Sequence, residues 1–296
     1  MRLLSSLFFI LSAVAGSSQN PSAKKEVFDF FPSDHVAPRR VDVYLPPGYP
    51  SQAPYNVLYM HDGQNISDDS TSTHGVSWKA DSTLFELMRL KEVPPTILVG
   101  VWNTKSRYRE YAPMPCFTSL SDSSFVQVTR EYGGIPYSDR YLTFLVDELK
   151  PLIDSRYKTG KGPNSNSIIG SSMGGLISLY AICRYPNIFG AAGCISTHWP
   201  ILTKVKDPNL FLNFYSWLPK HLPNDRQHRI YFDHGNVNLD SIYAPYQTKV
   251  DELFRNNGFD EDLWSSMYIE GAVHNEASWS KRFPSVLKFV LAGKKE

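Results

Sequence analysis

The chain has 296 residues, of which 42% are hydrophobic and 20% are charged; this composition is typical of a globular protein with a substantial core, and we expect one domain. Its 30 Lys and Arg residues nearly balance its 29 Asp and Glu residues, so neither a nucleic-acid partner nor electrostatic attachment to a membrane is expected. Beyond the N-terminal segment no stretch approaches ~20 consecutive apolar residues, so we expect no membrane span.

The N-terminal segment has the pattern of a secretory signal. Met1-Arg2 is a short positively charged start, residues 3–14 are mostly apolar, and Ala13-Val14-Ala15 is a typical cleavage site. The predicted location is therefore secreted or periplasmic. The predicted divisions are residues 1–15 as signal peptide, 16–26 as flexible leader and 27–296 as the folded domain.

Short apolar runs alternate with amphipathic stretches along the rest of the chain. Strands are predicted at residues 27–31, 40–45, 55–60, 96–102, 167–170, 191–195, 229–232 and 263–269. Helices are predicted at residues 82–91, 140–157, after Gly174, at 246–256 and at 284–291. The first two strands look like edge strands. The alternation predicts an α/β fold with a mostly parallel central sheet covered by helices on both faces.

A cap insertion is predicted at about residues 198–228, where a short crossover would be enough to connect two strands. The segment is rich in proline and in aromatic residues, among them Trp199, Phe211, Phe214, Tyr215 and Trp217. These rings either line a substrate groove, with Trp199 as a substrate contact, or pack the cap onto the body.

The three cysteines are Cys116, Cys183 and Cys194. Since three is an odd number, at most one disulfide can form within the chain. Cys183 and Cys194 fall in apolar predicted elements, which favours buried thiols.

The stretch Gly170-Ser171-Ser172-Met173-Gly174 matches the G-x-S-x-G pattern of a nucleophile elbow. In such an elbow a serine lies on a tight turn between a strand and a helix, and the glycines allow the two backbones to approach. The turn would expose the Ser172 hydroxyl. It would also direct the amide of Met173 towards an oxyanion formed on a carbonyl that Ser172 attacks.

A serine nucleophile needs a base and an orienting acid, which follow it in this fold in the order Asp or Glu, then His. Among eight histidines only His274 follows the last predicted strand. Its neutral imidazole could take the Ser172 proton and return it to the leaving alcohol. Two acids compete after the strand at 229–232. We favour Asp240, in the loop, over Asp233, which we expect to hold that loop through backbone amides.

The second oxyanion donor is expected in the loop after the strand at 55–60, which reads His61-Asp62-Gly63-Gln64-Asn65. Either Gly63 or Gln64 would supply the amide. His61 and Asp62 come before Ser172 in the chain and so have the wrong order for a triad; they are expected to shape the loop or to bind.

Three motifs together resemble the putative esterase family of α/β-hydrolases, which includes esterase D, feruloyl, acetylxylan and enterochelin esterases. They are residues 59–65, the elbow 170–175 and the segment 270–276. The resemblance covers about residues 27–291 and implies Ser172 as nucleophile and His274 as base. The acid loop is longer than the Gly-x-x-Asp spacing of feruloyl esterases.

The run from Trp102 to Tyr111 is also similar to a segment near the active site of this family. The resemblance implies Trp102, Arg107 and Arg109 as substrate contacts, with an arginine on a carboxylate or a sugar hydroxyl. The alternative is that one arginine pairs with Glu110.

The sequence therefore predicts a secreted serine esterase that cleaves acyl-carbohydrate, feruloyl or siderophore-type esters through an acyl-enzyme. No cofactor and no metal are expected, and the partner is the ester substrate. The alternatives are an acyltransferase on the same fold and a non-catalytic binding protein. The oligomeric state stays open.

Overall fold

A computed structural model describes residues 22–202, 204, 207–223 and 227–293; the predicted signal peptide lies outside these residues. The described strands are β1 (Lys24–Phe31), β2 (Arg39–Leu45), β3 (Asn56–His61), β4 (Thr96–Val101), β5 (Asn166–Ser171), β6 (Ala191–Ile195), β7 (Arg229–His234) and β8 (Trp264–Tyr268). They form one sheet in the order β1-β2-β4-β3-β5-β6-β7-β8. β1 and β2 run antiparallel to their neighbours, and β4 to β8 are parallel with β3.

The described helices are α1 (Ala80–Arg89), α2 (Arg107–Tyr111), α3 (Asp122–Tyr132), α4 (Ser138–Thr143), α5 (Lys150–Arg156), α6 (Met173–Arg184), α7 (Pro208–Trp217), α8 (Ala244–Asn256) and α9 (Glu276–Val290). A π-helical turn, Phe144–Leu149, joins α4 to α5. Within the described part of the chain, none of the helices combines the length and the apolar character needed to cross a membrane.

The central strands are buried on both faces, and their side chains alternate between two cores. On β3, Val57 and Tyr59 belong to the core that includes α6, whereas Leu58 and Met60 belong to the core that includes α1 and α9. This alternation follows from the two-residue period of a strand. The predicted α/β architecture with helices on both faces is thus present.

Two element starts and one position in the sheet are the main differences from the sequence prediction. β1 begins at Lys24, inside the segment predicted as flexible leader. β2 is not an edge strand, because it pairs with both β1 and β4. α9 begins at Glu276 rather than at residue 284, so that Pro284 lies inside the helix.

Three described helices, α2, α3 and α7, lie where the sequence predicts a loop or an irregular cap. α3 lies in the stretch interpreted as a loop, because its sequence is rich in serine and only weakly apolar. Its ends nevertheless carry ordinary helix signals. The Ser121 side chain accepts a hydrogen bond from the amide of Ser124, and Gly133 follows with a φ of 70°.

The segment between β6 and β7 contains α7, and most of its aromatic rings pack inward. Trp199 is 1% exposed and contacts Phe211 and Phe232. Phe214 is fully buried and packs against Tyr180 of α6. Packing onto the body therefore explains Trp199 and Phe214, whereas Phe211 also borders a cavity.

The three cysteines are all buried and unpaired. Burial raises the pKa of each thiol, so the thiolate form is suppressed.

Candidate active site

The elbow predicted from the sequence is a strained turn at the end of β5. Ser172 has φ 59° and ψ −120°, and Met173 is the first residue of α6. The Ser172 amide donates to the carbonyl of Ile195 (2.8 Å), and the Ser172 carbonyl accepts from the amide of His198 (3.2 Å). These contacts to the neighbouring strand and its loop hold a conformation that costs about 1–3 kcal/mol for a residue other than glycine.

His274 and Asp240 meet beside this elbow. The His274 Nδ1 atom lies 2.6 Å from Asp240 Oδ1. Asp240 Oδ2 accepts hydrogen bonds from the Ser196 hydroxyl and from the Gly235 amide, both at 2.7 Å. Asp240 is fully buried, and these three contacts satisfy its carboxylate in the absence of bulk water.

The protonation of this pair follows from its surroundings. Burial raises the pKa of Asp240, but the hydrogen bond from His274, together with those from Ser196 and Gly235, outweighs burial, and the net pKa is below the ordinary value. An ionised Asp240 must accept, so the proton of a neutral His274 lies on Nδ1. The Nε2 atom of His274 is then left with a lone pair, as a general base requires.

Asp233, the other acid considered, has different partners. Its carboxylate pairs with Arg282 (2.8 and 2.9 Å) and accepts from the Ser196 amide (3.0 Å). Burial raises the pKa of Asp233 in spite of Arg282. Asp240, and not Asp233, thus contacts the histidine, while Asp233 holds the loop after β6 through the Ser196 amide.

Ser172, Met173 and His274 all border one cavity of about 330 Å³. Its other walls are mostly polar and come from the loop after β3, from α2 and from the start of α9. They include Asp62, Asn65, His74, Asn103, Arg107 and Glu276. The nucleophile, the base and one oxyanion donor predicted from the sequence therefore share one space.

Gly63 and Gln64 begin the short helical turn Gly63–Asn65 after β3 and are buried. A Cβ atom on Gly63 would lie 2.7 Å from the Gly100 carbonyl carbon, so only glycine fits this approach to β4. The loop also borders the elbow, because a Cβ on Gly174 would lie 3.5 Å from His61 Cβ. Neither Gly63 nor Gln64 lines the cavity, so the structure does not support the prediction that one of them is the second oxyanion donor.

Of the predicted substrate contacts, only Arg107 reaches the cavity. It binds Asp62 with two hydrogen bonds of 2.7 Å, from Nε and from Nη2. Asp62 also accepts from Asn103 Nδ2 at 2.6 Å. Arg107 is therefore already neutralised by a partner and is not a free clamp for an anion.

Trp102, Arg109 and Trp199 lie away from the cavity, which corrects their assignment as substrate contacts. The Trp102 indole donates to Asp42 (3.2 Å) and lies under Arg40. Arg109 donates to the Ile135 carbonyl (2.9 Å) and stacks on Tyr137. The Trp199 indole donates to Gln247 (2.9 Å) in the core.

The alternative prediction, that Arg107 or Arg109 pairs with Glu110, is also wrong, because Glu110 pairs with a different arginine. Arg39, on β2, binds the Glu110 carboxylate at 2.7 and 3.0 Å, and both side chains are buried. Arg107 and Arg109 take no part in this pair.

The sequence prediction gives no role to several polar residues at the cavity or next to it. Glu276 accepts from Asn65 Nδ2 (3.1 Å) and lies 2.8 Å from His74 Nδ1. His198 Nδ1 lies 2.8 Å from the hydroxyl of Tyr243, which is close to Ser172 as well. No pattern along the chain links these residues, because their partners are distant in sequence.

Two buried histidines near the elbow are neutral. Burial lowers the pKa of His61 to about 3, although the Asp62 charge opposes it. Burial, with the charges of His274 and Arg107, lowers the pKa of His198 to about 4. His61 also bonds Tyr141 (2.8 Å), which fits the expected role in shaping the loop. Among the described residues, no group of three or more His, Cys, Asp or Glu side chains is placed to hold a metal ion.

A family model described as "Putative esterase" matches residues 36–290. The match covers most of the chain, so the protein belongs to this family, as its three motifs predicted. By class it is a carboxylic ester hydrolase.

Individual relatives agree with this assignment. "Uncharacterized protein YbbA" of Bacillus subtilis (strain 168) is 27% identical over 267 residues, which are 87% of this chain and 95% of that protein. The structure of an IroE-like serine hydrolase from Shewanella oneidensis is similar with a TM-score of 0.67 at 19% identity, over 90% of this chain and 80% of that one. A ferulic acid esterase has a TM-score of 0.63 at 18% identity, over 91% and 98% of the two chains. These structures confirm the α/β-hydrolase fold.

Proposed function

We propose that the protein is a secreted serine esterase with Ser172 as nucleophile, His274 as base and Asp240 as orienting acid. The observation that carries this proposal is the 2.6 Å contact between His274 Nδ1 and Asp240, at the wall of the cavity that also contains Ser172. The order Ser, Asp, His along the chain is that of α/β-hydrolases. Family membership supports ester chemistry at this site.

Acylation begins when Ser172 Oγ attacks the carbonyl carbon of the ester. His274 Nε2 takes the hydroxyl proton, and the buried Asp240 carboxylate stabilises the imidazolium that forms without taking the proton itself. His274 then gives this proton to the oxygen of the leaving alcohol. The C–O bond of the ester breaks, and the acyl group stays on Ser172.

The oxyanion of each tetrahedral intermediate needs donors that are already in place. We assign one donor to the amide of Met173, at the N-terminus of α6 and at the wall of the cavity. Water then attacks the acyl-enzyme with His274 as base, and the acid product leaves. No step of this mechanism requires a cofactor.

The charges at the cavity favour an uncharged alcohol group. Among the described residues that line the cavity, Arg107 is paired with Asp62 and His74 lies against Glu276, so neither offers an unpaired positive charge to a carboxylate or a catecholate. The remaining groups are hydrogen-bond donors and acceptors suited to hydroxyls. Acyl-carbohydrate or feruloyl-type esters therefore fit the site better than an anionic siderophore ester.

Hydrolysis of p-nitrophenyl acetate tests the proposal. The Ser172→Ala variant should lower kcat/KM by about 10³-fold or more, because the acyl-enzyme can no longer form. Ser178→Ala, further along α6, is the matched control; its hydroxyl bonds only the Gly174 carbonyl, so activity should stay within a few-fold of wild type.

The same preparations separate the alternatives. A fluorophosphonate should label the wild type at Ser172 and leave the Ser172→Ala variant unlabelled. A protein that neither hydrolyses the ester nor reacts with the probe would be a binding protein on this fold. An acyltransferase would give mainly transfer product when a sugar or alcohol acceptor is added in water.

Secretion is a separate part of the proposal and rests on the N-terminal sequence. Expression of the full chain in a secreting host, followed by N-terminal sequencing of the exported protein, should show cleavage after Ala15. Retention of the uncleaved chain inside the cell would contradict it.

A further inference from the structure

A second cavity adjoins the one that contains Ser172. It has a volume of about 620 Å³, compared with about 330 Å³ for the first. Apolar side chains from three parts of the chain form most of its walls: Pro200 and Leu202 after β6, Phe211 of α7, and Tyr246 of α8. The charged residues at its wall are of opposite sign, Asp207 and Lys249, so it carries no net preference for an ion.

The two cavities share His198 and Leu239 as walls. His198 is fixed at this junction, because its amide donates to the Ser172 carbonyl (3.2 Å) and its Nδ1 lies 2.8 Å from the Tyr243 hydroxyl. His198 is 2% exposed, and its Nε2 atom has no hydrogen-bond partner among the described residues. The two cavities are therefore neighbours, and a group that extends from Ser172 past His198 would reach the second one.

The chemistry of the ester decides which of its two parts takes this route. The alcohol oxygen must lie next to His274, which protonates it, and His274 borders only the first cavity. The hydrogen-bonding groups around Arg107 and Glu276 lie in that same space. The acyl group points away from the leaving oxygen, so the space left for it is the apolar one beyond His198 and Leu239.

We propose that this second cavity is an acyl-binding chamber and that the physiological ester carries a bulky apolar acyl group, aliphatic or aromatic, rather than acetyl. This inference rests on the proposed function of Ser172. An acetyl group would stay beside the elbow and leave the chamber empty, whereas a longer chain would bury apolar surface against Phe211 and Tyr246. That burial favours turnover of the larger ester.

The test is the ratio of kcat/KM for p-nitrophenyl octanoate to that for p-nitrophenyl acetate, with the alcohol held constant. The wild type should favour octanoate by about 10-fold or more. Leu212→Trp places a large ring in the chamber wall, where Leu212 is 40% exposed and a larger side chain can be tolerated. This variant should lower the ratio by about 10-fold or more.

Two further variants make the result specific. Ile242→Trp changes a different part of the same wall, at a side chain that is 47% exposed, and should lower the ratio as well. Val126→Trp on α3, at a side chain that is 52% exposed and outside the chamber, should leave the ratio unchanged. If one chamber variant fails to fold by circular dichroism, the other decides.

A second series holds the acyl group as acetyl and enlarges the alcohol, from phenyl acetate to 2-naphthyl acetate. The quantity compared is the ratio of kcat/KM for 2-naphthyl acetate to that for phenyl acetate. If Leu212→Trp and Ile242→Trp lower this ratio and leave the octanoate ratio unchanged, the chamber receives the alcohol and the proposal is overturned. It is also overturned if Ser172-dependent hydrolysis of acetate is present but neither chamber variant changes the octanoate ratio. Absence of Ser172-dependent hydrolysis of every ester would instead reject the proposed function.

Discussion

At the scale of single residues, Asp240 sets the state of His274. Replacement Asp240→Asn keeps the size of the side chain but removes the charge that keeps the His274 proton on Nδ1 and stabilises the imidazolium. We expect kcat for p-nitrophenyl acetate to fall by about 10²- to 10⁴-fold, while the midpoint of thermal unfolding changes little.

Asp233→Asn is the matched control for this prediction, because both carboxylates are buried and both contact Ser196. It removes the partner of Arg282, so the unfolding temperature should fall, but the folded protein should keep most of its kcat. A larger loss of kcat in Asp233→Asn than in Asp240→Asn would exchange the two assignments.

The sequence predicts which of the proposed triad residues lie close together better than it predicts which residues line the cavity, and the reason is physical. Ser172, Asp240 and His274 each follow a strand, and parallel strands bring their carboxyl ends to one edge of the sheet. The partners of a side chain such as Trp102 or Arg109 come from other elements, and no spacing along the chain records them.

At the scale of elements, the elbow glycines are not equivalent, although the motif contains both. A Cβ atom on Gly170 would lie 2.8 Å from the backbone of Gly174, so the strand and the helix would have to move apart. Gly170→Ala should therefore lower the free energy of unfolding by about 1–3 kcal/mol, as measured by urea denaturation.

Gly174→Ala is the control within the same turn. Its Cβ would lie 3.5 Å from His61 and 3.6 Å from Asp62 Oδ2, ordinary contact distances, and alanine favours the helix by about 1 kcal/mol. We expect stability equal to or above that of wild type. Equal destabilisation by both substitutions would contradict the close approach of β5 and α6 at Gly170.

The elements whose bounds the sequence predicts best are buried strands, because burial on both faces requires apolar side chains along the strand. β3, β4 and β6 are mostly apolar because helices cover both faces of the sheet, and β5 is recognised by its place before the elbow motif. α3 has a weak sequence signal because it is packed on one side only and, apart from Val126, its exposed side chains are polar. The start of α9 is predicted too late because Pro284 is typical of a helix N-terminus.

At the scale of the whole molecule, the proposed catalytic residues and the two neighbouring cavities lie at one edge of the sheet. The loops after β3, β5, β6, β7 and β8 all contribute to the first cavity or to the hydrogen-bond network behind it. The segment with α7, together with α8, forms the second cavity.

The neutral buried histidines give the whole molecule a pH-dependent stability. In the unfolded chain His61 and His198 titrate near pH 6.5, whereas in the folded protein their pKa values are about 3 and about 4. Below pH 6.5 the unfolded state therefore binds more protons. The stabilisation is fully present above pH 6.5 and is lost as the pH falls towards 4, with a slope of up to about 1.4 kcal/mol per pH unit for each histidine.

Urea denaturation at pH 7, 6 and 5 measures this slope. The carboxylates with lowered pKa values, Asp62 and Asp240, lose their stabilisation only at lower pH. Burial raises the pKa of Asp233 and of Asp251, and these groups oppose the histidine slope, so the difference in slope between wild type and variant is the quantity that tests the histidines. His198→Gln removes one titrating group and should reduce the slope by about 1 kcal/mol per pH unit between pH 6 and 5, whereas the exposed His221→Gln should leave the wild-type slope in place. If His198→Gln also keeps the wild-type slope, His198 gains its proton over the same pH range in the folded and the unfolded states. The histidine at the junction of the two cavities would then be a cation at pH 5.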